Sequence, residues 1–165
     1  MIIDTSILCV WLKVPGRETC GSDSEQWNFE RVEQLIQKEI LARTYLVLPL
    51  ATILETGNHI AQAVSRRYET AKDLAKIITA AADGTTPWIA FTDQSVLWET
   101  EGLKNLATEW PKLAVQKISI GDATIKTVAE YYDKTGVKVK ILTGDQGLKA
   151  YEPTTPPVIP RRKKK

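Results

Sequence analysis

Val137-Lys-Val-Lys-Ile-Leu142, followed by Thr143-Gly-Asp-Gln-Gly147, is the stretch on which the fold turns. The first part is apolar and β-branched and reads as the clearest strand in the chain. The second part is a turn that leads into a short helical piece near Leu148. Upstream, Gly136 ends a helix expected over 121–134, in the manner of a glycine C-cap. Met1-Ile-Ile-Asp4 reads as another short strand that closes on an acid. Strands are also expected at 45–48, 88–92 and 115–119. Helices are expected over 25–43, where Phe29, Val32, Leu35, Ile36 and Ile40 recur at three and four, then from Pro49 to about residue 67, over 68–82 and over 96–109. The stretch 13–24, with Pro15, Gly16 and Gly21, reads as polar turns. Strands alternating with helices predict an α/β fold of three layers, with a central, mainly parallel sheet of four or five strands flanked by helices. In such sheets the active crevice lies beyond the carboxyl ends of the strands.

The bulk properties agree with one soluble domain. The chain has 165 residues, 43% hydrophobic and 25% charged, a length that can bury roughly 70% of its unfolded surface. No apolar run approaches the roughly 18 residues of a spanning helix, so no membrane role is expected. No basic region precedes an apolar stretch at the start, and Cys9 and Cys20 are the only cysteines, so a reducing cytoplasm is the expected home. A zinc site is not expected from two cysteines and the single His59. Of the 22 Lys and Arg, five lie in 161–165, leaving 17 cations against 20 acids in the rest, a formal charge of −3. The reading is a domain over 1–152 and an extended or disordered basic tail over 153–165.

The acids carry the chemistry. Asp4 closes the first strand and Asp145 follows the last, so both belong at one rim of the sheet, although each is also an ordinary turn or cap residue. Asp122 stands in the first turn of its helix, on the stripe of Ile125, Ala129 and Tyr132, where an inward carboxylate needs a positive partner. Glu55, among Ala51, Asn58, His59 and Gln62, reads by periodicity as a solvated surface residue. Phosphate-loop, nucleophile-elbow and aspartyl-phosphate motifs are absent. Acids converging at one rim, with few His or Cys, favour a hard cation held by oxygen, Mg2+ or Mn2+. His59, Arg66, Arg67 and the five tryptophans each have a structural reading as well as a nucleic-acid-binding one.

Four segments resemble the PIN-domain family, the nuclease fold of VapC-like toxin ribonucleases. Met1-Ile-Ile-Asp-Thr-Ser-Ile-Leu8 resembles its opening strand with the first acid. Leu48-Pro-Leu-Ala-Thr-Ile-Leu-Glu55 resembles the strand, Pro and helix that carry the second. Ile120-Gly-Asp-Ala-Thr-Ile-Lys-Thr-Val-Ala129 is similar to the helix that begins with the third, and Ile141-Leu-Thr-Gly-Asp-Gln-Gly-Leu148 to the last strand and the turn of the fourth. The chain departs from the pattern at Gly144, where many relatives have a larger residue, and in longer segments at 9–24 and 88–98.

The resemblance implies a Mg2+- or Mn2+-dependent endoribonuclease whose catalytic and metal-holding residues are Asp4, Glu55, Asp122 and Asp145. The hydroxyls of Ser6 and Thr143 have three readings: orienting carboxylates, contacting phosphate, or making plain turn and cap hydrogen bonds. It implies an RNA substrate, a toxin partnered by an antitoxin protein, and a homodimer. A non-catalytic PIN scaffold within a larger assembly, and a nuclease of RNA processing or defence, are the alternatives.

Overall fold

The computed structural model describes residues 1–154. In chain order the elements are β1 (Ile2–Ile3), α1 (Thr5–Trp11), α2 (Phe29–Leu41), α3 (Leu50–Gln62), α4 (Arg67–Ala82), a 3-10 helix (Phe91–Trp98), α5 (Thr100–Ala114), α6 (Ile120–Lys134), β2 (Ile141–Leu142) and α7 (Gln146–Lys149). The basic run 161–165 and most of the expected tail lie outside the described residues.

Among the described residues the expected central sheet of four or five strands is not formed. These residues are 59% helical, and their sheet has two strands, β1 and β2, paired in parallel with Ile2 opposite Ile141 and Ile3 opposite Leu142. The other apolar segments pass alongside and make single bridges only, Val47 to Ile2 and Trp88 to Leu46. The physical reason lies in how soon each segment leaves the extended state. Pro49 caps α3 one residue after Leu48, and Phe91 opens the 3-10 helix three residues after Trp88. The strand expected at 115–119 is a turn, because α5 runs on through Pro111 to Ala114, leaving Val115 85% exposed and Lys117 left-handed at φ 64°. The helix expected from 96 begins at Thr100, and the break between α3 and α4 falls at Arg66, also left-handed.

Extended backbone still sets the two faces, since neighbouring residues point to opposite sides. Ile2, Val47 and Ile141 enter a core with Ile125, Val128 and Ala129 of α6. Ile3, Leu46, Leu48 and Leu142 enter the other, with α1, Val32 and Ile36 of α2, and Leu74 of α4. α1 was not expected as a helix. It is buried along Ile7, Leu8, Cys9 and Val10 and so has no amphipathic period to read. Among the described residues no helix is long and apolar enough to cross a membrane.

Three polar contacts pin the elements that carry the acids. The Asp4 backbone N–H donates to Leu142 O at 3.0 Å, fixing the end of β1 to β2. The buried Thr52 hydroxyl donates to Ile3 O at 3.0 Å and locks the first turn of α3 to β1. Gln94 Nε2 donates to Leu48 O at 3.0 Å, satisfying the last carbonyl before Pro49.

Candidate functional site

Asp4 is the N-cap of α1 and is only 5% exposed. Its Oδ2 accepts from Ser6 N at 3.3 Å, Ser6 Oγ at 2.6 Å and Thr143 Oγ1 at 2.8 Å. The Thr143 hydroxyl also accepts from Asp145 N at 2.8 Å, so one side chain ties the acid after β1 to the acid after β2. Asp145 caps α7, its Oδ1 accepting from Gly147 N at 2.6 Å and Leu148 N at 3.3 Å. Gly144 N donates to Ser6 Oγ at 3.0 Å, closing the network.

The other two acids come from helices. Glu55 lies one turn beyond Thr52 on α3, and its Oε2 accepts from Thr5 Oγ1 at 2.9 Å. It is half-buried rather than solvated, a correction to its periodicity reading, because α6 packs over it. The N-terminal turn of α6 comes so close that a Cβ on Gly121 would stand 2.0 Å from Glu55 Oε1. Asp122 is the next residue, and its Oδ2 accepts from Ser119 Oγ at 2.7 Å while Ser119 Oγ accepts from Asp122 N at 3.0 Å. Sequence reasoning passed over Gly121. Its signal is a small residue beside an acid in a helix's first turn.

Asp4, Glu55, Asp122 and Asp145 all line one depression of about 210 Å3. Each spends one oxygen on a local hydroxyl or amide brace, and among the described residues Asp4 Oδ1, Glu55 Oε1, Asp122 Oδ1 and Asp145 Oδ2 accept no protein hydrogen bond. Nor does any of the four form an ion pair among the described residues, so the positive partner expected for Asp122 is not there. Burial raises the Asp4 carboxyl above its ordinary value, and the hydrogen bonds from Ser6 and Thr143 oppose that shift only in part. The donor set is all carboxylate oxygen, which suits Mg2+ or Mn2+. As the side chains stand, no three His, Cys, Asp or Glu among the described residues form a close chelating group. The four acids are therefore neighbours around a hollow, Asp4 and Asp145 braced together through Thr143, Glu55 and Asp122 each on its own.

The depression is also lined by His59, and by Arg17 and Cys20, to which sequence reasoning gave no site role. His59, half-buried one turn after Glu55, is held below its ordinary pKa by burial and by the charge of Arg17, against the pull of Glu55. Cys9, at the floor, is raised to about 11 by burial and behaves as a packing residue. Arg17 and Cys20 belong to the stretch read as plain turns, and nothing in their spacing marks them. Compared with family models, curated proteins and solved structures, the chain finds no match.

Proposed function

We propose that the chain is a metal-dependent nuclease that hydrolyses phosphodiesters, with RNA as substrate. One observation carries the reading: acids from four separate segments line a single hollow, each with one carboxylate oxygen left over. No ion pair among the described residues neutralises these four carboxylates, and burial already disfavours the anion at Asp4. A divalent cation is the chemistry that relieves this and makes an acidic hollow able to accept phosphate.

Asp4, Glu55, Asp122 and Asp145 would hold the ion. When bound, Mg2+ or Mn2+ supplies Lewis acidity for activating water and stabilising the leaving oxygen of an in-line displacement. The chain's own work is positioning. Thr143 holds the Asp4 carboxylate and the Asp145 backbone in fixed relation. Ser6 holds Asp4 from the other side, Thr5 orients Glu55, and Ser119 orients Asp122. Such supports keep the free oxygens aimed without side-chain rearrangement in solvent.

The likeness of the four acid-bearing segments to VapC-like toxins supports RNA over DNA. It supports the same setting, a toxin held by an antitoxin protein, acting as a homodimer in the cytoplasm. End-labelled structured RNAs incubated with Mn2+ provide the test. The wild type is expected to cleave, EDTA to stop it, and Glu55→Gln and Asp122→Asn to be inactive with unchanged circular dichroism. Equal cleavage by both variants, or none by the wild type on any RNA, would overturn the reading in favour of a non-catalytic module.

A further inference from the structure

We infer that Arg17 forms a phosphate subsite on the wall of the acidic hollow, holding a backbone phosphate of single-stranded nucleic acid next to the one between the carboxylates. The inference rests on the nuclease reading and assigns the substrate contact that reading lacks.

Arg17 is exposed, and it is the one Lys or Arg among the described residues that lines the hollow. With four carboxylates around the same depression, it still forms no ion pair among the described residues. Its guanidinium also has no hydrogen-bond acceptor among them, and only its backbone N–H is engaged, by Val14 O at 2.9 Å. A planar fork of donors left unquenched beside an anionic pocket fits an oxyanion brought in from outside. The chain apart from its last five residues carries a net −3, so at the carboxylate-lined hollow a polyanion needs a local cation.

The backbone that presents Arg17 is fixed, which keeps the ordering cost of binding low. Val14, three residues earlier, is fully buried, and its N–H donates to Cys9 O at 2.9 Å. On the far side, Cys20 and Trp27 pair in both directions, at 3.0 and 2.7 Å. Cys20 packs on Gly144 so closely that a Cβ there would lie 2.7 Å from its Sγ. The Arg17 segment is thus braced against the Asp145 turn itself. His59 lines the same depression.

Fluorescence anisotropy of the full chain with a short labelled oligoribonucleotide tests this. Ca2+ replaces Mn2+ to hold cleavage off, a gel verifies that the oligonucleotide stays intact, and a deoxy oligonucleotide of the same sequence runs in parallel. Arg17→Ala is expected to weaken binding roughly tenfold, the loss of one charge-assisted contact. The slope of log affinity against log salt should fall by about 0.7, the value for one phosphate on a single strand. Arg17→Lys should keep the slope and recover part of the affinity. Arg66→Ala, between α3 and α4 and outside the hollow, should change neither. Arg17→Ala with wild-type affinity and slope, or no better than Arg66→Ala as a perturbation, would overturn the subsite, and so would an absence of binding by the wild type. The two readings separate cleanly. Arg17-dependent binding without Mn2+-dependent cleavage keeps the subsite and removes the nuclease; cleavage and binding both indifferent to Arg17 do the reverse. Tighter binding of the ribo than the deoxy strand supports RNA as the natural ligand, and equal binding places recognition on the phosphates alone, where the subsite acts.

Discussion

Gly121→Ala adds a methyl group where Glu55 Oε1 lies only 2.0 Å away, against a closest ordinary approach of 3.0 Å. The carboxylate must retreat by at least about 1 Å, since the helix backbone carrying residue 121 is the stiffer partner. That retreat breaks the 2.9 Å bond from Thr5 to Glu55, a loss of about 1 kcal/mol. Alanine in place of glycine in a helix returns up to about 1 kcal/mol. The two effects nearly cancel, so thermal unfolding is expected to move by no more than about 4 °C in either direction. Function does not share in that cancellation. A displacement of 1 Å in a positioned group lowers turnover by about 10²-fold. The measurement is Mn2+-dependent RNA cleavage beside a melting curve, with Gly57→Ala as the reference, because a Cβ at Gly57 meets nothing within 4 Å. Gly57→Ala should be as active as wild type and more stable by about 0.5–1 kcal/mol. Full activity in Gly121→Ala, at unchanged stability, would refute the placing of Glu55 in the working site.

Thr143→Val removes the hydroxyl shared by Asp4 and Asp145, and should lower the urea midpoint by an amount equivalent to about 1–3 kcal/mol at unchanged m value. Gly144→Ala should destabilise by about 1–3 kcal/mol in the same assay, because its Cβ meets the Gly21 backbone nitrogen at 2.8 Å as well as Cys20, and backbone cannot step aside as a side chain can. Asp4→Asn should change how stability depends on pH. Burial raises the folded carboxyl above its ordinary 3.8, so over the window from 3.8 to that raised value the folded chain holds a proton the unfolded chain has lost. Stability contributed by Asp4 therefore falls as pH rises through the window, and urea unfolding across it should show this fall in the wild type and not in Asp4→Asn.

The acids were legible in unequal degrees, for physical reasons. Asp4 and Asp145 stand at the ends of short apolar extended runs, and such positions read directly. Asp122 read correctly as a first-turn acid, and Ser119 caps its helix. Glu55 had no pattern of its own. What partly buries it is the approach of α6 at Gly121, a contact between segments more than sixty residues apart that no local period encodes. Sheet content was overread because residues 45–48 and 88–92 have strand composition, whereas pairing depends on how long the backbone stays extended, and Pro49 and the 3-10 helix cut it short. α1 was missed for the opposite reason, as a helix buried on nearly every side shows no polar face. Arg17 stayed hidden because a turn-rich segment discloses its anchors, Val14 and the Cys20–Trp27 pair, only once folded.

The network around Thr143 has a consequence for how the hollow works as a unit. Asp4, Ser6, Thr143, Gly144 and Asp145 are linked by consecutive hydrogen bonds, so a change at one position reaches the others without crossing solvent. Glu55 and Asp122 are braced independently, by Thr5 and Ser119. Substitutions within the first group are expected to be non-additive with one another in urea unfolding.

Electron paramagnetic resonance of Mn2+ titrated into the purified protein asks most directly whether the four carboxylates serve one purpose. Saturable Mn2+ uptake by the wild type is expected, weakened in each of Asp4→Asn, Glu55→Gln, Asp122→Asn and Asp145→Asn taken singly. Mn2+ binding that ignores all four substitutions, or no uptake by the wild type, would contradict the account.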